Sequence, residues 1–219
     1  MNNSTLYLFT LIILFPIIGC QNTQREAKKI DYNSYISKFE FTQQNPSNEN
    51  TIRITSEKAI VDPVKNDIYI FDSSIDILNK NGTDIKVISG NSTLDNNKNL
   101  IRVYNNVNIS LLELNNYYMN TESFSWDLNT SKINFDTPLN INFNDSLITS
   151  KNGNYNINKS TLSLNKNILN RRIYNYDSNV EYQVKVISDF AKWVKLDNSL
   201  EFSSNKNQVE TTINFLRFK

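Results

Sequence analysis

Histidine is absent from this sequence and cysteine occurs once. Those absences exclude Ser-His and Cys-His catalysis, histidine metal centres and any internal disulfide. Glycine and proline are scarce at four each, and the formal net charge is only +1. A near-neutral chain carries no electrostatic footprint for nucleic acid, so none is expected as a partner. No catalytic residue, metal ligand or cofactor is assigned, and the chain reads as a non-enzyme. What the sequence has in place of glycine is asparagine, about one residue in six. Asn tolerates positive φ and bonds its own backbone, so turn demand and base composition explain it, and no function is built on it.

The N-terminus carries a single long apolar run, Leu6 to Ile18, of about 13 residues. A membrane span needs about 20, whereas the core of a signal peptide is about this short. The run ends in Ile17-Ile18-Gly19-Cys20, which resembles a bacterial lipobox, with the lone cysteine at the position that is acylated. Residues 1–19 are therefore expected to be a lipoprotein signal peptide and Cys20 the lipidation site. Attached acyl chains, at about 0.8 kcal/mol per buried CH₂, would hold the mature chain on a membrane. One departure is that Met1 to Thr5 holds no Lys or Arg, where such a leader is normally basic. Residues 20–34, polar and charged, read as a tether.

The remainder is organised by a frame that recurs five times. Apolar Ile54, Val87, Met119, Ile148 and Val186 open the units, at spacings of 33, 32, 29 and 38. Seven residues on stand Val61, Leu94, Trp126, Tyr155 and Trp193, four of them followed by Asp62, Asp95, Asp127 and Asn156. Fourteen and sixteen residues on come apolar pairs, Ile68 with Ile70, Ile101 with Val103, Ile133 with Phe135, Leu162 with Leu164, and Leu200 with Phe202. Each alternation flanks an Asn- or Asp-rich turn, which is the signal of a β-hairpin. The fold class is therefore all-β, an antiparallel meander of repeated hairpins. Residues 35–42 predict the first strand. Ile187, Phe190, Ala191 and Val194 follow helical spacing, but the frame predicts strand there. Asn165 to Asp177 stretches the last interval and is the expected boundary between a main body and an extension. Asp62, Asp95 and Asp127 are expected to cap turns and not to converge on a site. Trp126 and Trp193 are expected to be core plugs.

Three units carry a more specific pattern: Ala59-Ile60-Val61-Asp62 with Ile68-Tyr69-Ile70, Ser92-Thr93-Leu94-Asp95 with Ile101 to Val107, and Trp126-Asp127 with Ile133-Asn134-Phe135 and Asp136-Thr137-Pro138. This pattern resembles the LptC family of lipopolysaccharide-export proteins and their LptA-like relatives. The resemblance covers residues 35–170, with a weaker echo in 171–219, a C-terminal β extension. It implies an open twisted β-jellyroll with an apolar groove for lipopolysaccharide. It also implies ABC transporter membrane subunits as donors and an LptA-like bridge protein, docked by edge-strand pairing, as acceptor. The expected place is the periplasm, as a lipoprotein anchored by preference in the inner membrane; members of the family commonly keep a transmembrane helix instead. The residues it marks as acyl-chain contacts are Ile68, Ile70, Ile101, Val103, Val107, Ile109, Ile133, Phe135, Ile141 and Phe143. Ordinary core packing explains each of these taken singly. Arg171-Arg172 is either a solvated loop or a contact for lipid phosphates or for a partner's acidic patch. A structural or adhesive surface lipoprotein with a closed β-repeat and no lipid cargo also fits the strands, the turns and the leader.

Overall fold

The computed structural model describes residues 35–217, apart from 45–49, 81, 113–116, 144, 176–179, 198 and 206–207. Cys20, the leader and the tether lie outside the described residues. Thirteen strands and no helix occur among the described residues: β1 (Ile36–Gln44), β2 (Thr51–Asp62), β3 (Asp67–Asn79), β4 (Gly82–Asp95), β5 (Leu100–Leu111), β6 (Tyr117–Asp127), β7 (Lys132–Phe135), β8 (Leu139–Phe143), β9 (Ser146–Asn156), β10 (Thr161–Asn175), β11 (Val180–Val194), β12 (Ser199–Ser203) and β13 (Glu210–Arg217). All pair antiparallel with their sequence neighbours, except that β7 and β8 share β6 and β9, and β12 and β13 share β11.

The frame becomes a set of cross-strand rows. Ile54, Ile75, Val87, Ile109, Met119, Ile141, Ile148, Leu169 and Val186 stand opposite one another strand after strand. A second row runs Leu94, Ile101, Trp126, Ile133, Tyr155, Leu162 and Trp193. Cross-strand apolar pairs are the unit of sheet stabilisation, and nearly all of these side chains are buried in one core cluster. The interval of 38 has a simple origin, since β10 and β11 are each 15 residues long. Position 170/171 falls inside β10, which runs through it unbroken. Val180–Val194 is strand, as the frame predicts.

Between the two rows every long strand turns a corner, dividing the sheet into two layers. The pairing registers shift or skip there, at Ile88/Asn91 on β4, Tyr104/Val107 on β5 and either side of Lys166 on β10. Lys38, Asp72, Asn105, Asn106 and Lys166 take positive φ at these corners, a conformation that costs an ordinary side chain about 1–2 kcal/mol. In the third unit Pro138, which has no N–H for the ladder, separates β7 from β8 outright.

A buried hydroxyl stands at every corner, two residues into each unit: Ser56, Ser89, Thr121, Ser150 and Ser188. Four of them donate to the carbonyl two residues on: Ser56 to Lys58 at 2.9 Å, Ser89 to Asn91 at 3.2 Å, Thr121 to Ser123 at 3.4 Å and Ser150 to Asn152 at 2.8 Å. In the fifth unit Ser188 Oγ accepts from Asn167 Nδ2 at 3.4 Å. Where the ladder breaks, backbone groups inside the protein need another partner, and the hydroxyl supplies it.

The hairpin turns stack just as regularly. Asp62 accepts from the N–H groups of Val64 and Lys65 at 3.0 and 3.1 Å, Asp95 from Lys98 at 3.1 Å, and Asp127 from Asn129 and Thr130 at 2.9 and 3.3 Å. These are the local side-chain-to-backbone bonds expected of Asp at a turn. Each turn ends on a positive-φ residue, Asn66, Asn99, Ser131 or Ser160. Its carbonyl receives the N–H of Asn96, Leu128, Ile157 or Lys195 from the next turn, at 2.9–3.2 Å. Asn97 and Asn129 bind the preceding turns through Lys65 O and Lys98 O at 3.0 and 3.5 Å.

Candidate functional site: an apolar cavity at the C-terminal end

The two layers face each other across their apolar rows. On the N-terminal side the interior is tightly packed, with Ile54, Ile75 and Ile101 0% exposed. Towards the C-terminus, where β11 pairs with β12 over one part of its length and with β13 over another, an opening remains between the apolar rows. The opening leaves a cavity of ≈ 400 Å³, within the range of small-ligand sites. Aliphatic walls come from both layers, Met119, Ile141, Ile148 and Leu169 from one and Leu162, Leu164 and Leu200 from the other. Tyr117 bridges them, stacked on Phe143 at 5.5 Å between ring centres and on Trp193 at 5.9 Å.

Ser146 and Arg171 bring polar groups to the cavity wall. Arg171, directly opposite Ser146 in the β9–β10 ladder, lines the cavity with it. Arg172 is a neighbour of a different kind, with its Nε 3.7 Å from Glu181. Both arginines therefore sit on strand β10 and not in a solvated loop. At the corner of β10 and β11, Asp189 accepts from Lys166 Nζ at 2.7 Å, Ser204 Oγ at 2.8 Å and Asn205 N–H at 3.0 Å. Those bonds, Lys166 first, hold its carboxyl down to about 2. Lys195, in the turn after β11, pairs with Asp84 near the start of β4, tying the second layer to the first.

All ten expected acyl-chain contacts face this shared interior, and two of them, Ile141 and Phe143, line the cavity. Ile70, Ile101, Val103, Val107, Ile109, Ile133 and Phe135 are buried in close-packed core, and Ile68 is half-buried against it. Trp126 is a core plug at 1% exposure, whereas Trp193 is part of the cavity wall. The wall residues outside that expectation, among them Leu162, Leu164, Leu200 and Phe202, occupy the fourteenth and sixteenth frame positions of units four and five. Their frame positions could have marked them. What a repeat frame cannot mark is which of its apolar positions close against one another and which leave a space between them.

No curated protein matches the chain. A similar solved structure is LptH, the LptA homologous periplasmic component of the conserved lipopolysaccharide transport device from Pseudomonas aeruginosa, at 9% identity and a TM-score of 0.28, over 74% of this chain and 94% of that one. The family described as lipopolysaccharide-assembly, LptC-related, matches residues 5–174, from the N-terminal apolar run to the end of β10, and the chain belongs to that family.

Proposed function

We propose that this protein is the periplasmic stage of lipopolysaccharide export that receives the lipid from ABC transporter membrane subunits and passes it to a β-jellyroll bridge. The observation that carries this reading is the cavity at the fork of β11, an apolar space between two layers in a chain of the lipopolysaccharide-assembly family. Acyl chains leave water for that space, at about 25 cal/mol per Å² of apolar surface removed from solvent. No bond is made or broken in the protein; the energy for transfer comes from the transporter's ATP. Lipidated Cys20 would keep the chain at the inner membrane, with residues 20–34 as the tether. The outer edges of β12 and β13, which pair with no further strand among the described residues, would offer backbone groups to a bridge protein by strand addition.

Depletion in cells tests the reading. Loss of an export component stops newly made lipopolysaccharide from reaching the cell surface, and the lipid accumulates at the inner membrane. Normal surface lipopolysaccharide after depletion would sink the proposal and favour the adhesive lipoprotein.

A further inference from the structure

Beside the apolar cavity lies a second, polar one of ≈ 340 Å³, and the two have Ser146 and Arg171 in common. The polar cavity is completed by Asn142, Asp145, Leu147, Asn170, Arg172 and Gln183. Ser146 is only 4% exposed, and its hydroxyl oxygen is buried with no hydrogen-bond partner among the described residues. A buried polar group left unsatisfied costs about 1–3 kcal/mol, so an orphan of this kind calls for an explanation. Arg171 stands opposite it in a row that runs from Tyr117 and Phe143 through Ser146 and Arg171 to apolar Val184 and Ile213. A guanidinium in that row is out of keeping with core packing. It is exposed at the cavity rim and makes no ion pair among the described residues, while Arg172 is already engaged by Glu181.

We propose that Arg171 and Ser146 form an anion subsite at the mouth of the apolar cavity, which takes the phosphate of a lipid whose acyl chains lie in the cavity. This rests on the lipid-carrying reading above. The chemistry is specific at each point. Arg presents a planar fork of N–H donors that matches phosphate oxygens two at a time. The Ser146 hydroxyl donates the bond for which the described residues hold no acceptor, and Asn142, Asn170 and Gln183 line the space around the head. The Asp145 carboxylate lines the same space and disfavours a second anionic group beside the first. An apolar hollow that opens onto a guanidinium with no ion pair among the described residues is matched to a phosphorylated amphiphile, and less well to a neutral one.

The test compares binding of three probes to the purified full chain: lipopolysaccharide, the same lipid with its lipid A phosphates removed, and inorganic phosphate. Wild type is expected to prefer the phosphorylated lipid by about tenfold, the factor that one charge-assisted hydrogen bond supplies. Arg171→Gln is expected to remove that preference, and Ser146→Ala to reduce it in part. Arg171 is exposed, so an unchanged melting temperature separates lost binding from lost folding. Equal binding of both lipids by wild type, unaltered by Arg171→Gln, overturns the subsite and leaves lipid carriage intact. Binding of neither lipid overturns lipid carriage itself. Inorganic phosphate competing as strongly as the lipid would show a site for free phosphate and also overturn the assignment.

Discussion

Replacing Ser150 by alanine isolates the contribution of a corner hydroxyl. Ser150 Oγ reaches the carbonyls of Asn152 and Asn165, both at 2.8 Å, and accepts the N–H of Asn165 at 3.2 Å. The residue is 4% exposed, so water does not readily replace it. Alanine leaves the Asn165 N–H and at least one carbonyl unsatisfied in the fold, at about 1–3 kcal/mol for each group. Partial relaxation of the bend brings the expected loss to roughly 2–3 kcal/mol. For a domain of this size 1 kcal/mol moves the melting temperature by about 2–4 °C, so Ser150→Ala should melt about 4–12 °C lower. Urea titration should show a lower midpoint at unchanged slope. Ser150→Thr should recover most of the loss, because Thr121 does the same work in the third unit. Ser203→Ala, at an exposed position of β12, should stay within about 0.5 kcal/mol of wild type. If Ser150→Ala is no more costly than Ser203→Ala, the hydroxyls do not stabilise the corners and the argument fails.

Other expectations follow from single contacts. In Gly153→Ala the new methyl would sit 2.7 Å from Ser163 O and 2.9 Å from Leu164 Cδ2, against paired backbone that cannot move aside. The loss should be about 1–3 kcal/mol by urea denaturation, and a variant as stable as wild type would show that β9 and β10 are not so closely apposed. Asp189 has a depressed carboxyl, so its share of stability is complete above the ordinary carboxylate range near 4 and falls away as pH drops through about 2. Asp189→Asn should flatten the pH dependence of stability in that window, and an unchanged profile would count against the Lys166–Asp189 tie. Cys20→Ala should accumulate as unprocessed precursor on an immunoblot; normal processing would rule out lipidation at that residue.

Much of the fold was legible because a sheet turns sequence period into spatial alignment. Residues spaced by one unit, such as Val87 and Met119, end two strands apart in a single row, each facing Ile109. Asp62, Asp95 and Asp127 could be placed for a similar reason, since their bonds are local. The corners were harder. Ser56, Ser89, Thr121, Ser150 and Ser188 form as constant a column as the apolar ones, but hydrophobic periodicity gives no weight to a buried hydroxyl. The cavity was harder still. Its walls are drawn from seven strands, β5, β6, β8, β9, β10, β11 and β12, a tertiary assembly with no local signature. Arg171 reads as a surface charge for the same reason: β10 looks like a break in the frame, whereas it is a longer strand.

The most direct measurement places a photo-crosslinking residue at Phe143, half-buried in the cavity wall, in cells making lipopolysaccharide. Lys192, exposed on β11, provides the outward-facing control. Lipid in the interior predicts a lipopolysaccharide adduct at Phe143 and none at Lys192. No adduct at Phe143, or equal adducts at both, would contradict it.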